Sequence, residues 1–246
     1  HVGEFSDFMT TCLACGEVNR ADTLLEAYHP NPDSLSKSDL QNLLIQSAPQ
    51  CPQCGANEWS QISAQNLMFN TTIGAGSSGR NGFLRPETAQ GMFTSFRTLY
   101  RHFREKLPFG AIQVGKGYRN EISPRQGMIR LREFNMAELE YFIDPKAEVK
   151  HDFSPWADVM MTMVSEAEGE QSISIAGAVE SGIVRHETVG FFIAKTYDFL
   201  VKVGIDAKRI RFRQHESNEM AHYATDCWGC RNTRFIRLDR MCRNCS

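Results

Sequence analysis

Arginine, aromatic and acidic residues recur at regular intervals in the stretch from Arg119 to Glu138. Arg130, Phe134 and Glu138 are spaced four residues apart, so a β-strand would place them on one face at intervals of about 13 Å. The guanidinium group of Arg119 offers several N–H donors to a phosphate at once. A row of charges around an aromatic ring is costly to bury without a ligand. The pattern favours a binding site for an anionic ligand, and a solvated strand face is the alternative interpretation.

Two glycines and an acidic residue extend this candidate site upstream. Gly115 and Gly117 have no side chains, which would let a flat ligand approach the backbone. Glu87 and Thr88 stand where a helical pattern begins, and either residue could simply cap that helix. Glu140 shares the face of Glu138 because side chains alternate along a strand.

All eight cysteines fall in four C-x-x-C pairs. This spacing, without a secretion-signal pattern, favours metal or redox chemistry in a reducing compartment over structural disulfides. The first two pairs resemble the halves of a zinc ribbon and would supply four thiolates to Zn²⁺. The 35 residues between them exceed the usual ribbon spacing, so a decayed ribbon or a redox pair is the alternative. The predicted zinc ligands are Cys12, Cys15, Cys51 and Cys54.

The elements that must position these residues follow from hydrophobic periodicity. Apolar residues at intervals of three and four indicate helices, and alternation indicates strands. Two strands around a turn-rich loop predict an antiparallel hairpin, and the whole pattern predicts the α+β class. The predicted elements are a helix over 88–103, strands over 109–118 and 130–143, helices over 155–203 and a strand over 210–214.

Composition and charge describe a soluble globular chain. Its 246 residues, 41% of them apolar, can bury a sizeable core. No apolar run approaches the roughly 18 to 20 residues of a membrane helix, so we expect a cytoplasmic protein without membrane segments. The net charge is −2, so contacts with nucleic acid must come from local basic patches.

Two segments resemble glycyl-tRNA synthetases of the class II aminoacyl-tRNA synthetase family. They are FLRPETAQGMF at 83–93 and LPFGAIQVGKGYRNEISPRQGMIRLREFNMAELEYFIDP at 107–145. Within the second, RNE-loop-RLREF resembles motif 2 of the class II enzymes, and the likeness extends over nearly the whole chain up to Trp228. It implies an antiparallel catalytic sheet flanked by helices, with the zinc-ribbon-like module inserted. A non-catalytic, synthetase-like protein that binds RNA or nucleotide is the alternative.

The resemblance implies that the chain binds ATP with Mg²⁺ through motif 2. Arg119 would bind the α-phosphate and the glycine carboxylate and would be the catalytic residue. Glu121 would contact the adenine amino group, Phe134 would stack on the adenine ring, and Arg130 would bind the γ-phosphate. The full set of implied ATP contacts is Arg119, Asn120, Glu121, Arg130, Leu131 and Phe134.

The same resemblance implies the other substrates and the assembly. Glu87 and Glu138 would bind the ammonium group of glycine, and the loop around Arg125 would face the acceptor end of tRNA(Gly). The implied reaction is ATP-dependent formation of glycyl-adenylate, followed by transfer to the tRNA. A homodimer is expected for the full-length protein.

The chain departs from the family pattern at both ends. The first and third class II motifs and an anticodon-binding domain are not found in it, so we expect this fragment to be inactive. After Trp228, arginine recurs at every third residue from 231 to 243. Permitted codons for residues 229–245, read one base later, encode DAEIHDSYGWIECVGI, which resembles the continuation of the family. We therefore expect a frameshifted, disordered tail whose cysteines are not metal ligands.

These interpretations divide the chain into six predicted segments. The catalytic domain would be interrupted twice, first by the cysteine module and then by a helical insertion. The segments are the start of the catalytic domain at 1–9, the zinc-ribbon-like insertion at 10–60, the catalytic core with motif 2 at 61–150, the helical insertion at 151–209, the return to the catalytic sheet at 210–228 and the tail at 229–246.

Overall fold

The structure, a computed structural model, describes residues 2–3, 5–30, 32, 35–122, 130–147, 149–216, 220, 224–232 and 239–245. The chain forms two compact units, His1–Asp144 and Pro145–Ser246. All but one of the strand pairs described are antiparallel, and helices pack beside the strands, so the predicted mixture of helices and antiparallel sheets is confirmed. Among the described residues, no helix is both long and apolar enough to span a membrane.

A three-stranded sheet with the order β2-β1-β3 begins the first unit. Helix α1 packs on β1 and β2, and helix α2 packs on α1. Helix α2 begins after Ser36, whose hydroxyl accepts a hydrogen bond from the amide of Asp39 and so caps the helix. These elements are β1 (Ser6–Thr11), β2 (Val18–Arg20), β3 (Ser63–Asn66), α1 (Ala21–Leu25) and α2 (Lys37–Ser47). Their shared core is formed by Ala21, Leu25, Leu40, Leu44 and Ile62.

Two hairpins complete the sheets of the first unit. The strands are β4 (Asn70–Ile73), β5 (Arg80–Phe83), β6 (Phe109–Tyr118) and β7 (Glu133–Phe142). Strands β6 and β7 pair along their whole length, from Phe109 opposite Phe142 to Tyr118 opposite Glu133. The predicted hairpin is therefore confirmed, although its second strand begins at Glu133 instead of Arg130.

The predicted helix over 88–103 is instead two short helices, α3 (Ala89–Thr94) and α4 (Phe96–His102). Ser95 separates them with φ −90° and ψ 0°, outside helical geometry. The hydroxyl of Thr94 donates to the carbonyl oxygens of Gln90 and Gly91, which competes with the backbone hydrogen bonds of the helix. Hydrophobic periodicity continues across the break and therefore did not reveal it.

A five-stranded sheet with the order β12-β11-β10-β8-β9 forms the second unit. Its strands are β8 (Met160–Ser165), β9 (Gly169–Ser174), β10 (Ile210–Gln214), β11 (Cys227–Asn232) and β12 (Asp239–Cys245). Strands β8 and β10 are parallel, and the other pairs are antiparallel. Helices α5 (Ile175–Glu180) and α6 (Glu187–Lys202) pack together, and Ile193, Phe212 and Trp228 lie in the core of this unit.

Residues 155–203 are only partly helical, which corrects the sequence interpretation. In β8, Met161 and Met163 are buried whereas Met160 is 58% exposed, and this alternation is the period of a strand. Gly169, with a φ of +73°, forms the turn into β9. Strand β10 then pairs with β8 and β11, and the β6–β7 hairpin is a separate two-stranded sheet.

The segment after Trp228 also differs from the expected disordered tail. The backbone of Asp239–Cys245 pairs with Cys227–Asn232 as an antiparallel strand, whereas the composition of the segment predicted disorder. Cys227 is disulfide-bonded, although its spacing favoured metal or redox chemistry. Backbone hydrogen bonds between the strands account for the order that composition did not indicate.

Candidate active site

The β6–β7 hairpin places the predicted row of side chains on one face. Along β7, Phe134, Met136, Glu138 and Glu140 are half-buried, whereas Asn135, Ala137 and Leu139 are exposed. Gly117 lies opposite Phe134 on β6 in the register of the hairpin. The shared face inferred from strand alternation is therefore confirmed for Phe134, Glu138 and Glu140, whereas Arg130 lies before β7 and outside the strand.

The glycines of β6 accommodate side chains of the protein itself. A β-carbon at Gly117 would lie 2.8 Å from a ring carbon of Phe134, so the missing side chain makes room for that ring. A β-carbon at Gly115 would collide with the guanidinium group of Arg85, which donates from Nε to the carbonyl oxygen of Lys116 at 2.9 Å. Protein side chains therefore fill the spaces beside both glycines, and the approach of a flat ligand to this backbone stays a prediction.

The guanidinium group of Arg119 lies beside two aromatic rings. Its ζ carbon is 5.4 Å from the ring centroid of Phe5 and 5.4 Å from that of Phe134. Its Nε is buried and has no hydrogen-bond partner within the described part of the chain. Aromatic faces stabilise the cation without neutralising its charge, so the group remains suited to an anion. The role of Phe5 was not predicted, because no local pattern links it to the hairpin.

Three carboxyl groups interact with one another in this unit, and one of them, Glu87, also interacts with the charge of Arg119. Burial raises the pKa of Glu87, and the charge of Glu138 adds to the shift, while a hydrogen bond with Gln90 and the charge of Arg119 oppose it. Burial also raises the pKa of Glu140, together with the charges of Glu138 and Glu87. Neighbouring carboxylates repel one another when ionised, so a bound cation would be favoured here.

Glu138 connects strand β7 to the start of helix α3. Its Oε2 accepts hydrogen bonds from the amides of Thr88 and Ala89 at 2.6 and 2.7 Å, and a third from the hydroxyl of Thr88. The sequence suggested that Glu87 or Thr88 caps this helix, but Thr88 makes no side-chain cap. Glu138, which is distant in the sequence, caps the helix instead. The three hydrogen bonds hold the carboxylate of Glu138 rigidly.

Other residues of the predicted site line a neighbouring cleft of about 200 Å³. Glu121 and Arg130 line this cleft together with Asp7 and Arg20 of the three-stranded sheet. One main-chain and one side-chain hydrogen bond hold the backbone beside this cleft. The amide of Asn120 donates to Leu67 at 2.7 Å, and Nε of Arg132 donates to the carbonyl oxygen of Glu121 at 2.9 Å. Leu131 is 41% exposed, and the predicted tRNA contact Arg125 lies outside the described residues.

The structure brings the four predicted metal ligands together. All four sulfur atoms lie within 4.8 Å of one another, with 3.7 Å between Cys12 and Cys54 and 3.8 Å between Cys15 and Cys51. A zinc ion at about 2.3 Å from each sulfur would set tetrahedral sulfurs about 3.8 Å apart, so the geometry fits this ion. A hydrogen bond from the backbone of Cys15 lowers the pKa of the Cys12 thiol to about 7, whereas burial and the neighbouring thiols raise the pKa of Cys15 to about 12. Cys12 is therefore the first of the two to become the thiolate that a metal requires.

The two cysteine turns share one backbone conformation. The amide of Gly16 donates to the carbonyl oxygen of Cys12, and the amide of Gly55 donates to that of Cys51, each at 2.9 Å. Both glycines have a φ of +77°, a conformation that other residues rarely adopt. The residue after each C-x-x-C pair is therefore required to be glycine by the turn itself.

Comparison with known proteins identifies relatives of this chain. The model of the tRNA synthetase class II core domain (G, H, P, S and T) matches residues 74–226. A glycine–tRNA ligase of Methanothrix thermoacetophila is 46% identical over 245 residues, covering 98% of this chain and 41% of the relative. Those of Methanocaldococcus jannaschii and Archaeoglobus fulgidus are 47% and 44% identical, each covering 93% of this chain. The chain thus spans about two fifths of the length of these relatives.

Proposed function

Because the chain belongs to the class II tRNA synthetase core domain family, we propose that its protein is a glycine–tRNA ligase, which activates glycine with ATP and transfers the glycyl group to tRNA(Gly). The observation that carries the proposal is the cluster of Glu87, Glu138 and Glu140, in which Glu87 also interacts with the charge of Arg119. An α-amino acid supplies both charges that this arrangement lacks, since its ammonium suits the carboxylates and its carboxylate suits the arginine.

Rigid carboxylates explain how so small a substrate could be selected. Glycine offers only its ammonium, its carboxylate and the absence of a side chain. One methylene contributes about 1–3 kcal/mol of discrimination, so rejecting alanine requires fixed walls. We assign the ammonium to Glu87 and Glu138, and the three hydrogen bonds from the start of α3 support this because they immobilise Glu138.

We assign the nucleotide to the two strands and to the loop entrance. Arg119 would bind the α-phosphate, Phe134 would stack on adenine, and Glu121 would accept a hydrogen bond from the adenine amino group. Arg130 would hold the γ-phosphate. Bound Mg²⁺ would neutralise charge on the phosphates. Asn120 and Leu131 would complete the contacts, and the 2.7 Å hydrogen bond from the amide of Asn120 to Leu67 supports a fixed backbone there.

The proposed chemistry requires no protein nucleophile. A carboxylate oxygen of glycine attacks the α-phosphorus, the bond to the bridging oxygen breaks, and pyrophosphate leaves. A hydroxyl of the terminal tRNA ribose then attacks the carbonyl carbon of glycyl-adenylate and releases AMP. Arg119 contributes by holding the two anions together and by stabilising the charge that develops on the α-phosphate.

Zinc, tRNA and a second subunit complete the proposal. The four cysteines would hold one structural Zn²⁺, and the distances between their sulfurs support this assignment. In the zinc-ribbon-like module, the metal would fix the two cysteine turns against each other. The loop around Arg125 would meet the tRNA acceptor end, and the whole protein would act as a homodimer in the cytoplasm.

Glycine-dependent exchange of pyrophosphate into ATP tests the proposed activity. We expect exchange from a chain extended at both ends to the length of its relatives, with the reading frame after Trp228 restored, and little or none from the 246 residues alone. In the extended chain, Arg119→Ala should lower the exchange rate about 100-fold or more, because charge on the α-phosphate is no longer stabilised. Arg101→Ala, which removes an exposed arginine of α4, is the matched control and should retain the rate.

Two results would contradict the assignment. Full exchange by the Arg119→Ala chain would show that the phosphate contact lies elsewhere. ATP binding without exchange in the extended chain would favour a non-catalytic, nucleotide-binding protein instead.

A further inference from the structure

Arg20 is an arginine of the cysteine module that the proposed chemistry has not yet used. It ends strand β2 and lines the same cleft as Glu121 and Arg130. Its Nη1 lies 2.8 Å from Oδ2 of Asp7, which lines the cleft as well. A cation of the cysteine module thus shares one small space with two residues of motif 2.

The guanidinium group of Arg20 is held in one orientation. Its Nε donates to Oδ1 of Asp22 at 3.0 Å, and its Nη2 donates to Oδ2 of the same carboxylate. Asp7 contacts the remaining side of the group. These contacts engage three of the five N–H donors of an arginine, leaving two for a further anion.

The backbone ties this arginine to motif 2 and to the cysteine turn. Arg20 lies opposite Met9 in the β1–β2 hairpin, whose turn carries Cys12 and Cys15. The same sheet continues to motif 2, since Leu67, just after β3, accepts the hydrogen bond from the amide of Asn120. Movement of Arg20 relative to Glu121 is therefore restricted on both sides of the cleft.

Charge interactions across the cleft agree with this geometry. The pKa of Arg20 is raised chiefly by its hydrogen bond with Asp22, and the charges of Asp7 and Glu121 add to the shift although burial opposes it. Burial raises the pKa of Asp7, and the negative charge of Glu121 contributes in the same direction. Arg20 and Glu121 therefore attract each other, whereas Asp7 repels Glu121.

We propose that Arg20 is a positioning residue for Glu121: it attracts the Glu121 carboxylate and orients it to accept a hydrogen bond from the amino group of adenine. This inference rests on the proposed function, in which Glu121 contacts adenine. The cysteine module then has a part in nucleotide selection, because it supplies the cation that fixes the selective carboxylate.

The ratio of the dissociation constants for Mg-ITP and Mg-ATP tests this role. ITP carries a carbonyl oxygen where ATP carries the adenine amino group, so a well-oriented Glu121 should favour ATP. Calorimetry on the 246-residue chain should show that Arg20→Met lowers this preference by about tenfold, the effect of losing one hydrogen bond to a charged group. Lys37→Met removes an exposed cation of the same module outside the cleft and should leave the ratio unchanged.

Further variants distinguish the loss of an orienting cation from a general loosening of the cysteine module. Loosening of the module alone would weaken both nucleotides equally and leave the ratio intact, which would overturn the proposal. Asp22→Asn keeps the charge of Arg20 but weakens the hydrogen bonds that hold its guanidinium group. This variant should lower the preference for ATP over ITP, and it tests the role of Arg20 even if Arg20→Met does not fold. An unchanged ratio in Asp22→Asn, with normal folding, would also overturn the proposal.

Glu121→Gln distinguishes this inference from the proposed function. We expect it to lower the preference for ATP as much as Arg20→Met does, and the double variant to lose no more, because the two residues act through one contact. If Glu121→Gln leaves the ratio unchanged, the adenine assignment is wrong and the role of Arg20 falls with it. If Glu121→Gln lowers the ratio but Arg20→Met does not, only the role of Arg20 is wrong.

Discussion

At the scale of residues, Glu87 and Glu140 keep half-buried carboxyl groups close to the charge of Glu138. Burial and repulsion both oppose ionisation, so these groups lower the stability of the folded chain at neutral pH. Such a cost is typical of a site whose ligand provides the missing charge. Arg119 shows the complementary feature, because aromatic rings surround a cation whose Nε has no hydrogen-bond partner in the described part of the chain.

Glu140→Gln should stabilise the chain at neutral pH. The folded-state pKa of Glu140 lies above the value in the unfolded chain, so its contribution to stability is present at low pH and is lost as the pH rises through the folded-state pKa. Glutamine does not titrate, and it should raise the unfolding temperature at pH 7 by roughly 1–3 °C. The gain should vanish towards pH 4, as thermal unfolding across this range will show.

A matched substitution checks the origin of that gain. Glu58→Gln removes an exposed carboxylate from the same unit and should leave the unfolding temperature unchanged. An equal gain in both variants would indicate an effect of net charge and would contradict repulsion within the cluster.

At the scale of elements, the β6–β7 hairpin is the framework of the site. Ten paired positions fix which residues share a face, and the gap left by Gly117 lets the ring of Phe134 lie against the partner strand. Helix α3 is fastened to this hairpin through Glu138, which places Glu87 next to the row. The position of the predicted glycine contacts therefore depends on a strand and a helix held together by one carboxylate.

Gly117→Ala should disturb the hairpin at the site. The added β-carbon would lie 2.8 Å from the Phe134 ring and 2.7 Å from the sulfur of Met136, so the ring must shift. We expect the free energy of unfolding to fall by about 1–3 kcal/mol, as is usual for overpacking, and ATP to bind more weakly. Gly110→Ala on the same strand makes contacts no closer than 3.4 Å and should change neither measurement. Normal ATP affinity in Gly117→Ala would argue against stacking on Phe134.

At the scale of the whole molecule, the chain consists of two units with separate cores. The first unit contains all the described residues of the predicted site together with the cysteine cluster. The cluster closes the β1–β2 hairpin, and that sheet is hydrogen-bonded to motif 2 through Leu67. Metal binding should therefore influence the site through the sheet, and the core of the second unit should not depend on it.

Hydrogen exchange with and without a chelator tests whether metal binding stabilises the first unit and leaves the second unit unaffected. Removal of zinc should accelerate amide exchange in β1, β2 and β3, because the thiolates no longer hold the two cysteine turns together. Exchange in β8 and β10 should be unchanged. Cys51→Ser should show the accelerated pattern without chelator, and metal analysis should find about one zinc per chain. Two zinc ions per chain would point instead to a second site formed by the later cysteines.

Local patterns in the sequence were sufficient for the two strands of the hairpin and for the residue types of the site. Alternation identified β6 and β7 and the shared face of Phe134 and Glu138, because the period of a strand is a local property. The spacing of the cysteines indicated the four-sulfur cluster for a similar reason, since each C-x-x-C turn is formed by neighbouring residues. Helical periodicity failed at Ser95, where the hydroxyl of Thr94 competes for backbone hydrogen bonds, and in β8, whose alternating burial is that of a strand.

By itself, then, the sequence determined the hairpin, the two cysteine turns and the chemical groups available for catalysis. Only the tertiary structure decided which distant residues complete them: Phe5 against Arg119, Glu138 at the start of α3, and Arg20 across the cleft from Glu121. It also decided that the space beside Gly115 and Gly117 belongs to protein side chains. The reason is physical, because these contacts join residues far apart in the chain, and packing and charge interactions between such residues leave no periodic signal in a single sequence.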